Sequence, residues 1–546
     1  MAEKFDVIVI GSGAAGLSAA LSASVAKSSV CILERSDQFG GTTAMSGGVS
    51  WIPNNPLMSA VGGSDTREAA LTYLNSLSLG LTNPELLETL VDTGPEVVRF
   101  IHRETSLKLH ALMYPDYHPE FPGGTFGRSI APDAFDAKTL GEYRSKLRQS
   151  PHLVLPFSML DLDRARRDGT SSRVEDILQS TMLLDRMQND IVTSGCALVA
   201  GLLKGTIDNG VDLRTGFRVR SLVIKDGVVR GVEGDCDGRS ITLEARSGVI
   251  IASGGFDFNQ QLVADFLRGP LEASIGLPFN EGDGLIMAME AGAALGNMSE
   301  AWWTPVMQIP GEEYEGKTFF RSSSSERTLP GSIMVNRHGK RFVNESHNYN
   351  DVGRALQNFD PVEFSFTNLP AWLILHQPRL DAAAFLTRLP TDPIPNWLVS
   401  APTIRELAAK IEVDEDALAA TIERFNANTT NGHDPDFHRG ESAYDQFVGN
   451  SAYEGPLKSL GAIDTPPFYA MRVYSGTLGT KGGLKTTARA EVFNVRGGTI
   501  PGLYAAGNAM AGVTGMAYAG AGGTIGPALV FGYLAGAAAA QRIGNH

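Results

Sequence analysis

Glycine makes up 61 of the 546 residues, well above the roughly 7% that is typical of proteins. With 43% hydrophobic and 19% charged residues and no collagen-like period, the composition excludes disordered and fibrous chains. The 46 basic and 60 acidic residues sum to a net charge of −14, which disfavours nucleic-acid binding because that function needs a basic surface.

The first 34 residues have the pattern of a βαβ unit. An apolar run over residues 5–10 leads into GSGAAG (residues 11–16), a helix pattern follows, and a second apolar run ends at Glu34. This order is a dinucleotide-binding fingerprint: Gly11 permits the tight turn, Gly13 lets the backbone approach a pyrophosphate, and Gly16 packs the helix against the strand. The carboxylate of Glu34 is placed to accept a hydrogen bond from a ribose hydroxyl.

The middle of the chain changes character twice. Helices are predicted near residues 84–104 and 172–192, and residues 218–251 have the short β runs of a meander, with turns at Asp226-Gly227 and Asp237-Gly238. A further strand ends in glycines over residues 252–256. Residues 279–468 are richer in Trp, Pro, Asn and charge, include a predicted helix over 403–427, and are interpreted as a second domain.

Glycine dominates again from residue 468 onward. The apolar stretch over residues 528–540 is shorter than the roughly 20 residues of a spanning helix and predicts a buried helix instead. No charged segment with a cleavage site precedes the first strand, so no signal peptide is expected. We therefore predict an α/β fold, with a Rossmann-like domain and β-meander formed by residues 1–278 and 469–546 and an inserted α+β catalytic domain over residues 279–468.

Three glycine-rich segments indicate which dinucleotide is bound. They are ERSDQFGGTTAMSGG (residues 34–48), LYAAGN (residues 503–508) and GAGGTIGPALVFGYLAG (residues 520–536). These segments resemble the fumarate reductase and succinate dehydrogenase flavoprotein superfamily, which implies that they bind FAD. The resemblance places a helix N-terminus at the flavin pyrimidine, where it stabilises the anionic reduced flavin. No histidine occurs near residues 34–48, so non-covalent FAD is expected.

The fingerprint and this resemblance together imply a set of cofactor-binding residues. They are Gly11, Gly13, Ala14, Ala15, Gly16, Glu34, Arg35, Gly40, Gly41, Thr42, Thr43, Ser46, Gly47, Gly48, Val219, Ala252, Gly254, Gly507, Asn508, Gly523, Thr524 and Ile525.

Several longer strings narrow the resemblance to the 3-ketosteroid Δ1-dehydrogenases. They are YPDYHPE (residues 114–120), RTLPGSIMVNRHGKRFVNESHNYNDVGRA (327–355), ERFNANTTNGHDPDFHRGESAYDQF (423–447), LGTKGGL (478–484) and YAGAG (518–522). The resemblance implies that Tyr349 abstracts a C2 proton of the ketone with help from Tyr117. It implies also that the Tyr518 hydroxyl and the Gly522 amide bind the C3 carbonyl.

This set of residues suits the oxidation of a ketone to an enone. The reaction removes a proton α to the carbonyl and a hydride from the β carbon, and Tyr518 with Gly522 would form an oxyanion-type pair for the enolate. A tyrosine base has an ordinary pKa of about 10, so Tyr349 would need a lowered pKa or a polarising neighbour such as Tyr117. Ala519 and Ala521 stand where many family members carry proline, a departure that bears on the substrate and not on the reaction.

Other functions follow from the same cofactor or are disfavoured by the sequence. The preferred hypothesis is ring A 1,2-desaturation of a 3-ketosteroid; alternatives are desaturation of a smaller cyclic ketone such as cyclohexanone, or 3-ketosteroid Δ4-(5α)-dehydrogenation. Fumarate reduction is disfavoured, because it would need several cations converging at the flavin and the matched positions here are tyrosines. A non-catalytic FAD-binding protein is the remaining alternative.

The binding partners and the location are predicted only in general terms. The electron acceptor is unknown and expected to be quinone-like or dye-like, with no nucleic acid partner and no transmembrane segment. The ten histidines include no HExxH or HxxxH pair, so no metal site is expected. Cys31, Cys196 and Cys236 form no CxxC pair, which is typical of a reducing compartment and favours a cytoplasmic location.

Met113, Phe121, Trp302 and Trp303 are candidates for lining an apolar substrate cavity, although each also suits an ordinary core position. The segment over residues 127–172 carries no recognisable motif and lies just beyond YPDYHPE. We expect it to shape the mouth of the cavity.

Overall fold

A computed structural model describes residues 3–169, 174–178 and 180–542, and its two large β-sheets organise the molecule. The first sheet has eight strands around the parallel βαβ unit that the sequence predicts. In order across the sheet these are Glu491–Phe493, Thr499–Ala505, Arg239–Ile251, Glu3–Ile10, Val30–Leu33 and Asp212–Arg214, and Phe217–Lys225 and Val228–Cys236 extend it from Arg239–Ile251. Strands from both ends of the chain therefore build one sheet, as expected for a Rossmann-like domain.

The β-meander is confirmed, with one difference from the prediction. The short runs at residues 240–245 and 248–253 belong largely to one strand, Arg239–Ile251. Its pairing with Glu3–Ile10 shifts register between Phe5 and Val7, which indicates a bulge around residues 246–247. The polar bulge interrupts the apolar pattern and makes one strand look like two.

Two helices pack together against the first sheet. The first helix (Ala14–Val25) packs along the C-terminal helix (Ile525–Gln541), and both are buried over most of their length. The helices touch through glycine: a Cβ at Gly532 would lie 2.4 Å from the carbonyl oxygen of Ala15, and one at Gly536 would lie 2.1 Å from that of Ala19. The buried helix predicted at residues 528–540 is therefore present.

The other predicted helices are partly correct. Pro84–Glu104 has the predicted bounds, because Asn83 caps its first turn by accepting from the Glu85 amide at 3.1 Å. The single helix predicted over 403–427 is wrong: helices Ile404–Lys410 and Glu415–Thr429 are separated at Glu412, whose φ is +58°.

The helix predicted over residues 172–192 is also divided. The structure has Val174–Leu178, Thr181–Gln188 and then a strand, Ile191–Val192, while residues 170–173 and 179 lie outside the described part.

The second sheet has seven strands, which come from the stretch of chain between the two parts of the first sheet. In order these are Arg321–Ser322, Ala301–Met307, Phe468–Thr480, Ala371–His376 and Ser332–Val335, while Ala273–Ser274 and Val399–Ala401 also pair with Phe468–Thr480. Phe468–Thr480 is the central strand of this sheet, and its Leu478 lines the large cavity described below.

Shorter elements complete the structure. Helices among them include Arg67–Ser78, Met159–Arg167, Ser194–Asp208, Gln260–Phe266, Asp283–Glu290, Tyr349–Ala355 and Ala443–Val448. A small sheet joins Ser50–Trp51, Ser129–Pro132 and Leu109–Ala111. No helix in the described residues has both the length and the apolar character needed to cross a membrane.

Candidate active site

A cavity of about 810 Å³ extends from the first glycine turn to the second sheet. Three of the predicted cofactor residues, Gly16, Gly40 and Gly523, do not line it. Gly16 instead packs on the turn, since a Cβ there would lie 2.0 Å from the Gly11 carbonyl oxygen. The predicted residues that do line the cavity are Gly11, Gly13, Ala14, Ala15, Glu34, Arg35, Gly41, Thr42, Thr43, Ser46, Gly47, Gly48, Val219, Ala252, Gly254, Gly507, Asn508, Thr524, Ile525, Tyr117, Tyr349, Tyr518 and Gly522.

The nucleotide end of the cavity is built from the glycine turn and Glu34. Gly11 has φ +100°, and a Cβ there would lie 2.5 Å from the Ala252 carbonyl oxygen, so only glycine fits. Glu34 is held by Ser12, whose hydroxyl donates to Oε2 at 2.5 Å, and by the Ser36 amide, which donates to Oε1 at 2.9 Å. The first helix begins at Ala14 without a side-chain cap from Gly13, which leaves its positive end toward the cavity.

The cavity also receives a second helix N-terminus. The C-terminal helix begins at Ile525, and Thr524 at its N-cap makes no capping hydrogen bond. Both helix starts line one elongated cavity with glycine-rich walls. At the first helix the Ala14 amide donates to Thr43 Oγ1 at 3.0 Å, and at neither helix does the N-cap residue supply a side-chain cap. Helix N-termini at both places suit a pyrophosphate and the pyrimidine edge of a flavin, so the residues present fit FAD.

The three predicted tyrosines, Tyr117, Tyr349 and Tyr518, lie close together in the cavity. The ring centroids of Tyr117 and Tyr518 are 5.3 Å apart and the rings are stacked, while Tyr349 lies 5.6 Å from Tyr117 and 5.4 Å from Tyr518. The Tyr518 hydroxyl also lies 3.0 Å from Thr524 Oγ1, at the start of the C-terminal helix. The tyrosine cluster, which we define as these three residues, therefore adjoins the predicted flavin end of the cavity.

Tyr117 is positioned by the buried residues around it. Its amide donates to the Ala519 carbonyl oxygen at 3.0 Å, which ties its loop to the segment of Tyr518. The neighbouring Asp116 accepts from Trp51 Nε1 at 2.8 Å and pairs with Arg128 at 2.7 Å, both members of this ion pair being almost fully buried. This rigid support limits the positions that the Tyr117 ring can take.

Tyr349 is the first residue of the helix Tyr349–Ala355. Asn348 caps this helix, with its Oδ1 accepting from the Asp351 amide at 3.1 Å. Asp351 Oδ2 lies 2.8 Å from His118 Nε2, so the residue next to Tyr117 is bonded to the helix that carries Tyr349. Potential ligand atoms of His118, His347 and Asp351 lie within 4.8 Å of one another, but the direct hydrogen bond already occupies the space between two of them.

Burial sets the ionisation of the tyrosine cluster. Desolvation raises the pKa of Tyr349 well above its ordinary value of 10, although its hydrogen bond with Tyr117 acts in the opposite direction. Burial likewise raises the pKa of Tyr117 and of Tyr518. The polarising neighbour expected for Tyr349 is present, whereas a lowered pKa is not found in the protein alone.

Gly522 has a backbone conformation and surroundings that only glycine tolerates. Its φ is +92°, and a Cβ there would lie 2.5 Å from the Val49 carbonyl oxygen. Its carbonyl accepts from the amides of Trp51 and Gly526, while its own amide donates to no protein acceptor in the part of the chain that is described. That amide is therefore available to a ligand atom.

Several residues that line or adjoin the site are not among the predicted site residues. Tyr444, whose ring centroid lies 5.2 Å from that of Tyr117, comes from the distant helix Ala443–Val448. The segment without a motif contributes apolar side chains as expected, and the remaining apolar wall comes from scattered positions. These lining residues include Tyr114, Leu153, Phe157, Met159, Leu162, Ile275, Leu277, Phe279, Leu386 and Leu478.

The four aromatic and methionine candidates for the cavity wall do not line this cavity. Trp303 is a buried core residue, and Met113 and Phe121 are exposed. Trp302 lines a small adjoining cavity together with Lys481 and Asn508. Spacing alone does not distinguish these positions from the residues that do form the wall.

A Rossmann-like sheet, two helix N-termini on one cavity and a buried tyrosine cluster define a flavin-dependent oxidoreductase. A family model described as "FAD binding domain" matches residues 6–525. The chain is 39% identical to a 3-oxosteroid 1-dehydrogenase of Mycobacterium tuberculosis, over 100% of this chain and 99% of that protein. It is also 39% identical to a 4-oxocyclohexanecarboxylate 2-dehydrogenase of Sinomonas cyclohexanicum, over 98% of this chain and 92% of the relative.

The crystal structure of a 3-ketosteroid Δ1-dehydrogenase from Sterolibacterium denitrificans in complex with 1,4-androstadiene-3,17-dione has the same architecture. The TM-score is 0.92 at 33% identity, over 99% of this chain and 100% of that chain. The protein therefore belongs to the 3-ketosteroid Δ1-dehydrogenase family of FAD-binding flavoproteins. It is an FAD-dependent dehydrogenase.

Proposed function

We propose that this enzyme introduces a double bond between the α and β carbons of a cyclic ketone, and that its main reaction is 1,2-desaturation of ring A of 3-ketosteroids. The observation that carries this proposal is the tyrosine cluster, which lies in one cavity with the uncapped N-terminus of the C-terminal helix. Relatives and a structural neighbour named for steroid Δ1-dehydrogenation support it.

The protein residues divide the reaction between them. The Tyr518 hydroxyl and the Gly522 amide hold the carbonyl oxygen and stabilise the enolate. Tyr349 takes the proton from the α carbon, and Tyr117 polarises the Tyr349 hydroxyl. The two electrons and the hydrogen leave the β carbon as a hydride, and non-covalently bound FAD would supply the acceptor for it. The C=C bond replaces the two broken C–H bonds.

The two parts of the chain have separate tasks in this proposal. Residues 1–278 and 469–546 bind FAD and provide Tyr117, Tyr518 and Gly522, although strands Ala273–Ser274 and Phe468–Thr480 at their boundaries belong to the second sheet. The inserted domain, residues 279–468, provides Tyr349 and part of the cavity wall. Catalysis then requires that the two parts pack together around the ketone.

The charges on the cavity wall favour a neutral substrate. Arg321 pairs with Glu312 through two contacts of 2.8 Å, and Arg35 pairs with Glu281 at 2.6 Å and with Asp283 at 3.3 Å. Burial and the nearby Arg321 lower the pKa of His152 to about 4, so this residue is neutral at pH 7. The cations that line the described cavity are therefore already paired or uncharged, which suits a steroid better than a ketone with a carboxylate.

A second candidate is desaturation of a smaller cyclic ketone. It is favoured by the relative named for 4-oxocyclohexanecarboxylate, which is as similar to this chain as the steroid relative is. Its substrate differs from a steroid in size and in charge, so the two candidates can be separated directly.

The test is a substrate comparison on purified yellow enzyme with an artificial electron acceptor. Androst-4-ene-3,17-dione is expected to give the highest kcat/KM, followed by cyclohexanone, with 4-oxocyclohexanecarboxylate lowest. A higher kcat/KM for the carboxylate would favour the second candidate. Unchanged flavin absorbance during anaerobic titration with every ketone would indicate a binding protein without this activity.

The natural electron acceptor and the location are also proposed here. We propose a quinone-like acceptor, because the chain carries a single dinucleotide fingerprint and FAD occupies it. A cytoplasmic location is supported by the three free cysteines, of which Cys31 and Cys196 are buried.

A further inference from the structure

Lys481 is a buried cation immediately behind the tyrosine cluster. It follows the last residue of strand Phe468–Thr480 and is 1% exposed. Its Nζ donates to the carbonyl oxygens of Met516 and Ala517 at 3.0 and 2.8 Å. These two residues directly precede Tyr518, so Lys481 holds the backbone from which Tyr518 projects.

The charge of Lys481 also lies close to the Tyr518 side chain. Nζ is 4.2 Å from the ring centroid of Trp302 and 5.9 Å from that of Tyr518. The Trp302 and Tyr518 rings meet edge to face at 4.9 Å. Lys481 is therefore packed among aromatic faces, an environment that stabilises a cation.

The protein supplies no direct counter-charge to this lysine. No carboxylate in the described residues lies within 4.0 Å of Nζ, and the nearby Glu300 carboxylate is paired with Arg354 at 2.5 Å. Burial lowers the pKa of Lys481 to about 7, while the more distant Glu300 acts in the opposite direction. A buried ammonium without an anion is costly, which points to an anion that exists only during the reaction.

We propose that Lys481 is a positioning residue whose charge is balanced by the negative charge that forms on the substrate oxygen held by Tyr518. This inference rests on the proposed function and extends it. Before enolisation, Lys481 fixes the segment that carries Tyr518. As the α proton leaves, its charge stabilises the enolate through the Tyr518 hydroxyl, so proton abstraction becomes faster without tighter binding of the ketone.

The experiment measures α-proton exchange separately from hydride transfer. The enzyme is held reduced under anaerobic conditions in D2O, where its flavin cannot accept a hydride, and deuterium uptake at C2 of androst-4-ene-3,17-dione is followed by NMR. Lys481→Gln keeps hydrogen-bond donors but removes the charge, and Lys481→Arg keeps the charge. The exposed Lys485→Gln is the matched control.

In Lys481→Gln we expect α-proton exchange to be 10- to 100-fold slower and kcat to fall by a similar factor, with KM and the flavin reduction potential unchanged. In Lys481→Arg we expect both rates to lie within about threefold of wild type. Wild-type exchange rates in Lys481→Gln, or equal losses in both variants, would overturn the inference. The inference would also be overturned if Lys481→Gln shifted the flavin reduction potential but exchanged the α proton at the normal rate, because the charge would then act on the cofactor and not on the enolate.

A failure of the proposed function gives a different result. In that case the wild-type enzyme neither exchanges the α proton nor reduces its flavin with any ketone. If Lys481→Gln does not fold, Lys481→Met replaces it, with the same expected loss of exchange and the same overturning result.

Discussion

The tyrosine cluster combines three phenols whose ordinary acidity is suppressed by burial. Because burial raises the pKa of Tyr349 and of Tyr518, neither side chain is ionised at neutral pH before a ketone binds. A neutral Tyr518 is a hydrogen-bond donor, which suits carbonyl binding. A neutral Tyr349 must lose its own proton before it accepts one from the substrate, so its base strength depends on Tyr117 and on the charges around the site.

We expect Tyr349→Phe to lower kcat by about 10²- to 10⁴-fold, because the substitution removes the base and leaves the ring in place. FAD binding should be unchanged, since Tyr349 lies outside the glycine turn and the two helix N-termini that fit FAD. Stopped-flow flavin reduction with androst-4-ene-3,17-dione measures the step, and the exposed Tyr453→Phe is the matched control. Full reductive activity in the FAD-bound Tyr349→Phe enzyme would remove the role proposed for Tyr349.

Tyr518→Phe tests the carbonyl-binding pair more cleanly than a change at Gly522. Any side chain at Gly522 would meet the Val49 carbonyl at 2.5 Å and distort the backbone. Loss of one oxyanion donor typically costs about 10²- to 10³-fold in kcat. We expect that loss in Tyr518→Phe with FAD retained, and a kcat within a few-fold of wild type would contradict it.

The elements that the sequence predicts correctly are marked by residues within or directly beside them. Gly11 and Gly13 identify the turn, and Asn83 marks the start of the helix Pro84–Glu104. The single helix predicted over 403–427 fails at Glu412, because a left-handed residue followed by a new N-cap ends one helix and starts another while the apolar period continues.

The site is less predictable from local patterns because its residues meet only in the fold. Family motifs identify Tyr117, Tyr349 and Tyr518, and the structure brings their rings within 5.6 Å of one another. Tyr444 reaches the same place from the helix Ala443–Val448, and no spacing in the sequence connects it to Tyr117. Tyr444 lies within the family string over residues 423–447, but that string assigns it no role, and only the tertiary packing shows that its ring reaches Tyr117.

The contact between the first and C-terminal helices makes a prediction about cofactor binding. A side chain at Gly536 would collide with the Ala19 carbonyl oxygen, so Gly536→Val must push the two helices apart. Overpacking of this kind typically costs about 1–3 kcal/mol. We expect a lower melting temperature and weaker FAD retention after gel filtration, because both helix N-termini lie on the FAD cavity.

The matched control for this helix contact is Ala537→Val, on the half-buried side of the same helix. It introduces the same valine side chain at a neighbouring, half-buried position. Equal FAD retention in both variants would show that the separation of the helices is unimportant for the cofactor.

Across the whole molecule, the cavity depends on how the two sheets are held together. Tyr349 comes from the helix Tyr349–Ala355, which packs against strand Ala301–Met307 of the second sheet, whereas Tyr117 is bonded to the segment that leads into the C-terminal helix. His118 and Asp351 connect these two parts at 2.8 Å. Weakening this connection should therefore lower both the melting temperature and kcat.

The His118–Asp351 pair predicts a specific pH dependence of stability. Burial opposes the charge on His118, but hydrogen bonds to Asp351 and Glu120 prevail and raise its pKa from 6.5 to about 9. Because folding raises the pKa of His118, its charge stabilises the folded state fully at a pH below 6.5, its pKa in the unfolded chain. This stabilisation is lost as the pH rises through about 9, its pKa in the folded protein. We expect the pair to contribute at most about 3 kcal/mol below pH 6.5 and progressively less up to pH 9.

The comparison of wild type with His118→Gln isolates this contribution from other groups that titrate in the same range. The difference in melting temperature should be largest near pH 6 and should shrink toward pH 9.5, while the exposed His438→Gln should follow the wild type throughout. Because the pair joins the segment of Tyr117 to the helix of Tyr349, His118→Gln should also lower kcat at pH 6 more than at pH 9.5. A melting-temperature difference that does not change with pH would mean that His118 stabilises the fold by packing and not through its charge.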